Sequence, residues 1–262
     1  MKSFMAGIAL LGSVLPVALA SATGTNTGAP TRSYITGALI FNGKGTSASD
    51  ANSLVKIIES KGLSYKVVNS DALNAMSVDD LAKYGVIVWP GGHANQMTDS
   101  LTYETRRNIR KAVRESGVNF AGFCAGAWMG VGDDIPLRGD LDIGFALLPG
   151  KLLAEYFPNG KEPTAEMVQT SFADGSQRDL VWWGGPITPN IPGGVVAKYP
   201  DGSPEITQAF SGNGFVVLTG THPEAPQGWR DGEGLSDKDG LDFELAWKLV
   251  NSALTQLALP AF

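Results

Sequence analysis

The sequence predicts an α/β domain built on a mainly parallel sheet, with a short antiparallel extension. Three observations carry this. Apolar strand-like runs alternate with amphipathic helical segments from Tyr34 to the region of Trp128. Three of those runs end in glycine or in a tight polar turn, as the carboxyl ends of parallel strands do. From Gly130 to Gly214 the texture changes to short apolar runs separated by Gly and Pro, which reads as antiparallel strands added to the same domain.

Taken in order, Met1–Ala20 has the form of a targeting segment. Lys2 precedes an apolar or small stretch from Phe4 to Val17, and Ala18-Leu19-Ala20 fits a small-x-small cleavage site. Ser21–Ser33, rich in Ser, Thr and Gly, is expected to be a disordered linker, and residues 34–262 the folded domain. The mature chain is therefore expected to be exported and free of stable membrane association. Tyr34–Phe41 reads as the first strand. A helix over Asp50–Lys61 carries Leu54, Val55, Ile57 and Ile58 on one stripe and is capped by Ser49. Tyr65–Val68 is the second strand, Val78–Lys83 a short helix capped by Ser77, and Gly85–Trp89 the third strand. Leu101–Glu115 reads as one charged amphipathic helix. Its five basic residues, Arg106, Arg107, Arg110, Lys111 and Arg114, form either a solvated face or an anion site.

The stretch that organises the rest is Val118-Asn119-Phe120-Ala121-Gly122-Phe123-Cys124-Ala125-Gly126. An apolar strand runs into Gly-x-Cys-x-Gly, the elbow pattern in which a nucleophile sits on a strained strand-to-helix turn. The two glycines remove side chains where strand and helix approach, and a sulfur there lies over a helix N-terminus, whose dipole favours thiolate. A second run, Val216–Thr219, leads into Thr221-His222-Pro223-Glu224. It supplies a base, His222, with a carboxylate, Glu224, to orient it. A third, Val86–Trp89, leads into Pro90-Gly91-Gly92-His93, a turn able to present backbone N–H groups to an oxyanion. Short strands are expected at Ile143–Leu148, Ala165–Phe172, Leu180–Trp183, Gly194–Tyr199 and Ile206–Phe210. Thr221–Asp239 is expected to be a loop and Leu241–Leu257 the closing helix, with Phe243, Leu245, Ala246, Leu249 and Val250 inward.

The order of Gly-Gly loop, Cys elbow and His-Pro-Glu resembles the class I glutamine amidotransferase superfamily. More narrowly, the chain resembles the N-terminal domain of eukaryotic biotin–protein ligases. The matching residues are Phe41-Asn42-Gly43-Lys44-Gly45-Thr46-Ser47, Trp89-Pro90-Gly91-Gly92, Gly122–Ala127, Leu148-Pro149-Gly150, Trp182-Trp183-Gly184-Gly185 and Gly220–Glu224. The resemblance implies a flavodoxin-like three-layer sandwich and a triad of Cys124, His222 and Glu224. It also implies an oxyanion hole from the N–H groups of Gly92 and Ala125. Gly91, His93, Trp128 and Trp183 are candidate substrate contacts, and Trp182 is a further tryptophan beside them. The ligase's catalytic Gly-Arg-Gly-Arg motif does not occur in these residues, so biotinylation is not expected.

The expected function is thus a Cys-dependent hydrolase or acyl transferase, working through a thioester on an amide, peptide or γ-glutamyl bond. The substrate is expected to be a small molecule or a peptide. Two alternatives stand beside it. One is a non-catalytic ligand-binding module. The other is a PfpI-type redox or carbonyl-detoxifying protein, which calls for an acidic residue beside the Cys at the end of the first strand, where Phe41-Asn42-Gly43 has none. The 262 residues hold one cysteine and two histidines and carry a net charge of −6. No intramolecular disulfide can form, and no basic run points to nucleic acid. Asp133-Asp134, Asp140 and Asp142 lack a nearby His or Cys at metal spacing, so neither a metal nor another cofactor is expected.

Overall fold

The computed structural model describes residues 32–132, 144–150, 153–158 and 164–262. The expected targeting segment, most of the linker, and Asp133, Asp134, Asp140 and Asp142 lie outside the described residues.

In chain order the elements are β1 (Thr36–Phe41), α1 (Ala48–Ser60), β2 (Tyr65–Val68), α2 (Ser70–Asn74), α3 (Val78–Leu81), β3 (Tyr84–Trp89), α4 (Ala94–Ser100), α5 (Tyr103–Arg114), β4 (Asn119–Phe123) and α6 (Ala125–Gly130). They continue with β5 (Val131–Gly132), β6 (Leu148–Pro149), β7 (Glu166–Phe172), β8 (Gln177–Trp182), β9 (Val195–Lys198), β10 (Pro204–Ser211), β11 (Gly214–Thr219), α7 (Gln227–Glu233) and α8 (Phe243–Thr255). Nine strands form one mixed sheet in the order β2-β1-β3-β4-β11-β10-β9-β7-β8. The pairs from β2 to β11 are parallel. From β11 onward, through β10, β9, β7 and β8, every pair is antiparallel. The antiparallel extension thus continues the main sheet through β11.

Strand side chains alternate between two faces, and each face buries its own core. Leu39, Phe41, Ile87, Trp89 and Phe120 pack with Ile109, Ala112 and Val113 of α5 and with Ala127 and Met129 of α6. Ala38, Ile40, Val86, Val88, Ala121 and Phe123 pack on the other side with Leu54, Ile57 and Ile58 of α1 and with Ala246, Leu249, Val250 and Ala253 of α8. Phe243 and Leu245, expected to face inward on α8, are only half-buried.

Two expectations are corrected. The helix expected from Leu101 to Glu115 is α5, begun by the Thr102 hydroxyl, which accepts from the Thr105 N–H; the short α4 before it was not expected. Ser47, not Ser49, is the N-cap of α1, although its side chain makes no capping bond. The segment expected to be a loop after His222 contains α7. The five basic residues of α5 do not line the cavity described below; Arg106 is buried, and Arg107 lies over the ring of Tyr103.

Candidate active site

Cys124 stands between β4 and α6 with φ 48° and ψ −107°, a conformation that side-chain-bearing residues seldom adopt. Its N–H is held by the Thr219 carbonyl of β11 at 2.9 Å, and its own carbonyl accepts from the Ala127 N–H. The flanking glycines are required by space. A Cβ on Gly122 would lie 2.4 Å from the Gly126 carbonyl oxygen, and one on Gly126 would lie 2.1 Å from that of Trp89. The thiol is 4% exposed and its Sγ points at the Trp183 carbonyl, 3.7 Å away.

His222 follows β11, and its N–H donates to the Val181 carbonyl of β8, tying the base to the antiparallel extension. Its Nδ1 lies 2.9 Å from Glu224 Oε1 and 3.1 Å from Asp50 Oδ1. All three side chains are buried. Asp50 comes from the first turn of α1, a position with no motif to mark it. Gly91 lies directly beneath: a Cβ there would meet His222 Cε1 at 2.7 Å and Asp50 Oδ2 at 3.2 Å. The Gly-Gly turn therefore gives the imidazole room. Gly92, at φ +138°, would press a Cβ into the Gly45 carbonyl.

Burial alone would push His222 down. The charges of Cys124, Glu224 and Asp50, with the Asp50 hydrogen bond, outweigh it and hold the imidazole well above histidine's usual range. Burial pushes Glu224 up to about 7 against the pull of His222. Burial also pushes Asp50 up, but His222 and hydrogen bonds from His222, Glu224 and Ser47 prevail and leave it below the usual carboxylate range.

These groups open on a cavity of about 620 Å³ lined by Ser47, Ser49, Asp50, Gly92, His93, Cys124, Glu155, Trp183, His222, Trp229 and Glu233, among others. Trp183 and Trp229 meet edge to face at 5.4 Å, and Trp229 also packs on the His222 ring at 5.1 Å. The Trp229 indole N–H donates to Ser49 Oγ at 3.0 Å. Behind it, Arg230 is buried and binds the Ala225 carbonyl, Asp237 and Asp242, which fixes α7 against the segment that carries Glu224.

The fold thus brings Cys124, His222, Glu224, Gly92, His93 and Trp183 to one place. Ala125 begins α6 next to Cys124. Trp128, expected as a substrate contact, is instead half-buried against the core on the α5–α6 side, because α6 turns it away from the cavity. Trp182 is buried and donates to the Gly185 carbonyl. Sequence reading missed Asp50 and Trp229. Asp50 left a faint signal, a polar residue at the first turn of an otherwise apolar-striped helix.

Asp50, His222 and Glu224 are the one described group of three whose potential ligand atoms all lie within 4.8 Å of one another. The Nδ1–oxygen separations of 3.1 and 2.9 Å are those of hydrogen bonds to the ring nitrogen.

Residues 36–134 match the family model "Biotin-protein ligase, N terminal". None of the curated proteins matches the chain by sequence. Among solved structures, a glutamine amidotransferase is 16% identical, with 85% of this chain and 100% of that one covered and a TM-score of 0.52. A cytoplasmic protein from Salmonella typhimurium LT2 is 10% identical, with 82% and 99% covered and a TM-score of 0.50. A putative ThuA-like protein from Parabacteroides merdae is 13% identical, with 87% and 95% covered and a TM-score of 0.50. At these identities the likeness is one of fold: the chain has a glutamine amidotransferase-like α/β fold and carries the biotin–protein ligase N-terminal pattern over its first strands and the elbow.

Proposed function

We propose that this chain, on a flavodoxin-like layered sheet, is an exported cysteine hydrolase or acyl transferase that opens an amide-type bond through a thioester. The observation that carries the reading is the strained, positive-φ Cys124 opening on the same cavity as a carboxylate-bound His222. Because Nδ1 of His222 is engaged by carboxylates, Nε2 is the nitrogen left to take the thiol proton. Cys124 Sγ attacks the carbonyl carbon, and the N–H groups of Gly92 and Ala125 receive the developing oxyanion. Collapse of the tetrahedral adduct expels the amine, which His222 protonates. Water or an acceptor amine then cleaves the thioester.

The lining bears on the substrate. Among the described lining residues the acidic groups are Asp50, Glu155 and Glu233, and no Lys or Arg accompanies them. A substrate carboxylate such as that of a γ-glutamyl group would be desolvated there without a cation. A neutral or cationic group beside the scissile carbonyl suits the carboxylates and the Trp183–Trp229 corner better. The test is intact-mass analysis after incubation with γ-glutamyl, neutral and cationic amide libraries. An acyl adduct on Cys124, absent from Cys124→Ala, is expected with neutral or cationic members. No adduct and no turnover, with a ligand that binds Cys124→Ala equally well, would leave only a binding module.

One observation favours a second reading. Asp50 supplies a carboxylate to the cavity that holds Cys124, so the absence of an acid at Asn42 no longer argues against PfpI-type redox or carbonyl chemistry. The same mass analysis with peroxide and with α-oxoaldehydes separates the two, since oxygen addition or carbonyl adducts differ in mass from acylation. Export is tested by N-terminal sequencing of the secreted chain, expected to begin near Ser21.

A further inference from the structure

We propose that Asp50 is a second positioning carboxylate of His222, and that it, rather than Glu224, carries the negative charge facing the imidazole at neutral pH. This deepens the reading of His222 as the base for Cys124 and rests on it.

The geometry leads here directly. One Nδ1 proton faces two carboxyl groups, Glu224 Oε1 at 2.9 Å and Asp50 Oδ1 at 3.1 Å. The remaining oxygens, Asp50 Oδ2 and Glu224 Oε2, are buried and meet no donor. Two ionised carboxylates this close, out of water and with one imidazole between them, repel each other and leave both outer oxygens unsatisfied. A single proton held by one carboxyl and shared with the other removes both costs.

The surroundings decide which group holds it. The charged and titratable groups acting on His222 are Cys124 from the elbow, Glu224 from its own segment and Asp50 from α1. Asp50 sees His222, Glu224 and the Ser47 hydroxyl that begins its helix; the groups acting most strongly on Glu224 are His222 and Asp50. Asp50 also sits in the first turn of a 13-residue helix, where the dipole favours an anion. The proton therefore rests on Glu224, in line with the direction of both shifts: Asp50 below its usual range, Glu224 raised to about 7. Glu224 then orients the ring as a neutral acceptor while Asp50 stabilises the imidazolium.

The consequence inverts what the triad motif alone implies. Glu224→Gln replaces a neutral acid with a neutral amide of the same shape, whereas Asp50→Asn removes the charge. The experiment is heteronuclear NMR of the imidazoles across pH in the full chain, with the two histidines assigned through His93→Gln. Asp50→Asn should lower the His222 titration midpoint by about one unit or more, a tenfold weaker hold on its proton. Glu224→Gln should lower it by less than half as much, and Asp50→Glu should restore most of the loss. A larger shift in Glu224→Gln than in Asp50→Asn overturns the proposal. If Asp50→Asn does not fold, the side-chain carboxyl carbon resonances of the unmutated chain near pH 5.5 decide: Glu224 protonated with Asp50 ionised is expected, and the reverse overturns it. The NMR result stands apart from the base assignment. That assignment fails separately, if iodoacetamide alkylates Cys124 equally fast in the unmutated chain and in His222→Ala.

Discussion

The elbow's glycines are set by backbone contacts, so the smallest substitution there has a large expected effect. A Cβ on Gly126 would lie 2.1 Å from the Trp89 carbonyl oxygen, an atom of β3 that cannot rotate away. Gly126→Ala must push α6 off the sheet and should cost at least about 3 kcal/mol, the upper end for overpacking. Gly232→Ala, on α7 with open space around it, is the control and should be neutral or slightly stabilising. Urea unfolding of both variants checks this; equal midpoints would mean that the close approach carries no strain. At this scale the sequence exposed what it marks locally. Cys124 is legible because glycines must flank it, and His222 and Glu224 because they follow an apolar strand within a few residues. Asp50 is not, since no local pattern marks it and the PfpI-type comparison points to the end of β1. The chain instead makes a glycine turn through Asn42–Gly45 and delivers the carboxylate from the start of α1. Only the packing of α1 on β1 and against α8 brings Asp50 to His222.

Among elements, α7 is the least legible. Gln227-Gly228-Trp229-Arg230-Asp231-Gly232-Glu233 holds two glycines and no apolar stripe, so neither propensity nor periodicity announces a helix. Tertiary contacts hold it: the Arg230 guanidinium bonds the Ala225 carbonyl at 2.7 Å and Asp242 at 3.1 Å, with Asp237 on its Nε. Arg230→Met would leave buried Asp242 with Arg178 alone, 3.4 Å away, and half-buried Asp237 with only backbone donors, a loss of up to about 3–5 kcal/mol where the structure cannot relax. α7 can relax by leaving the surface, so the effect should appear locally. Amide exchange across residues 227–242 should rise by two or more orders of magnitude, while β3 and β4 keep their protection. Trp229 should lose its packing on His222, and KM for any substrate found should rise more than kcat falls. Unchanged exchange in this segment would show that Arg230 is not what fixes the cavity wall. The parallel half of the sheet, by contrast, follows from strand–helix alternation, and the basic helix expected from Leu101 to Glu115 is α5 within two residues at each end.

For the whole molecule, the sheet's two halves meet along β10 and β11, and that seam contains a buried carboxyl with no cation beside it. Glu205 of β10 accepts from the Thr221 hydroxyl, one residue before His222, and its Oε2 meets no donor. Burial pushes its pKa up to about 7, against the pull of Thr170 and Thr221, with Asp242 adding to the rise. The sign follows from linkage. A group whose folded pKa lies above its unfolded value near 4.3 binds its proton more tightly when folded. Its contribution is fully present below that unfolded value and is lost as pH rises through about 7. A rise of this size corresponds to about 3 kcal/mol of lost stability between mildly acidic and mildly alkaline solution. Glu205→Gln keeps an acceptor for Thr221, adds an N–H donor and removes the ionisation. The variant should therefore match the unmutated protein near pH 4 and exceed it by about 3 kcal/mol near pH 8 in urea unfolding. Glu224 shifts in the same direction, so the unmutated chain loses stability from both groups, and only the Glu205 share disappears in the variant. If the two pH–stability curves run parallel, Glu205 is ionised in the folded protein. The joint between the parallel half and the antiparallel extension would then hold a charge behind His222, where burial favours a neutral acid.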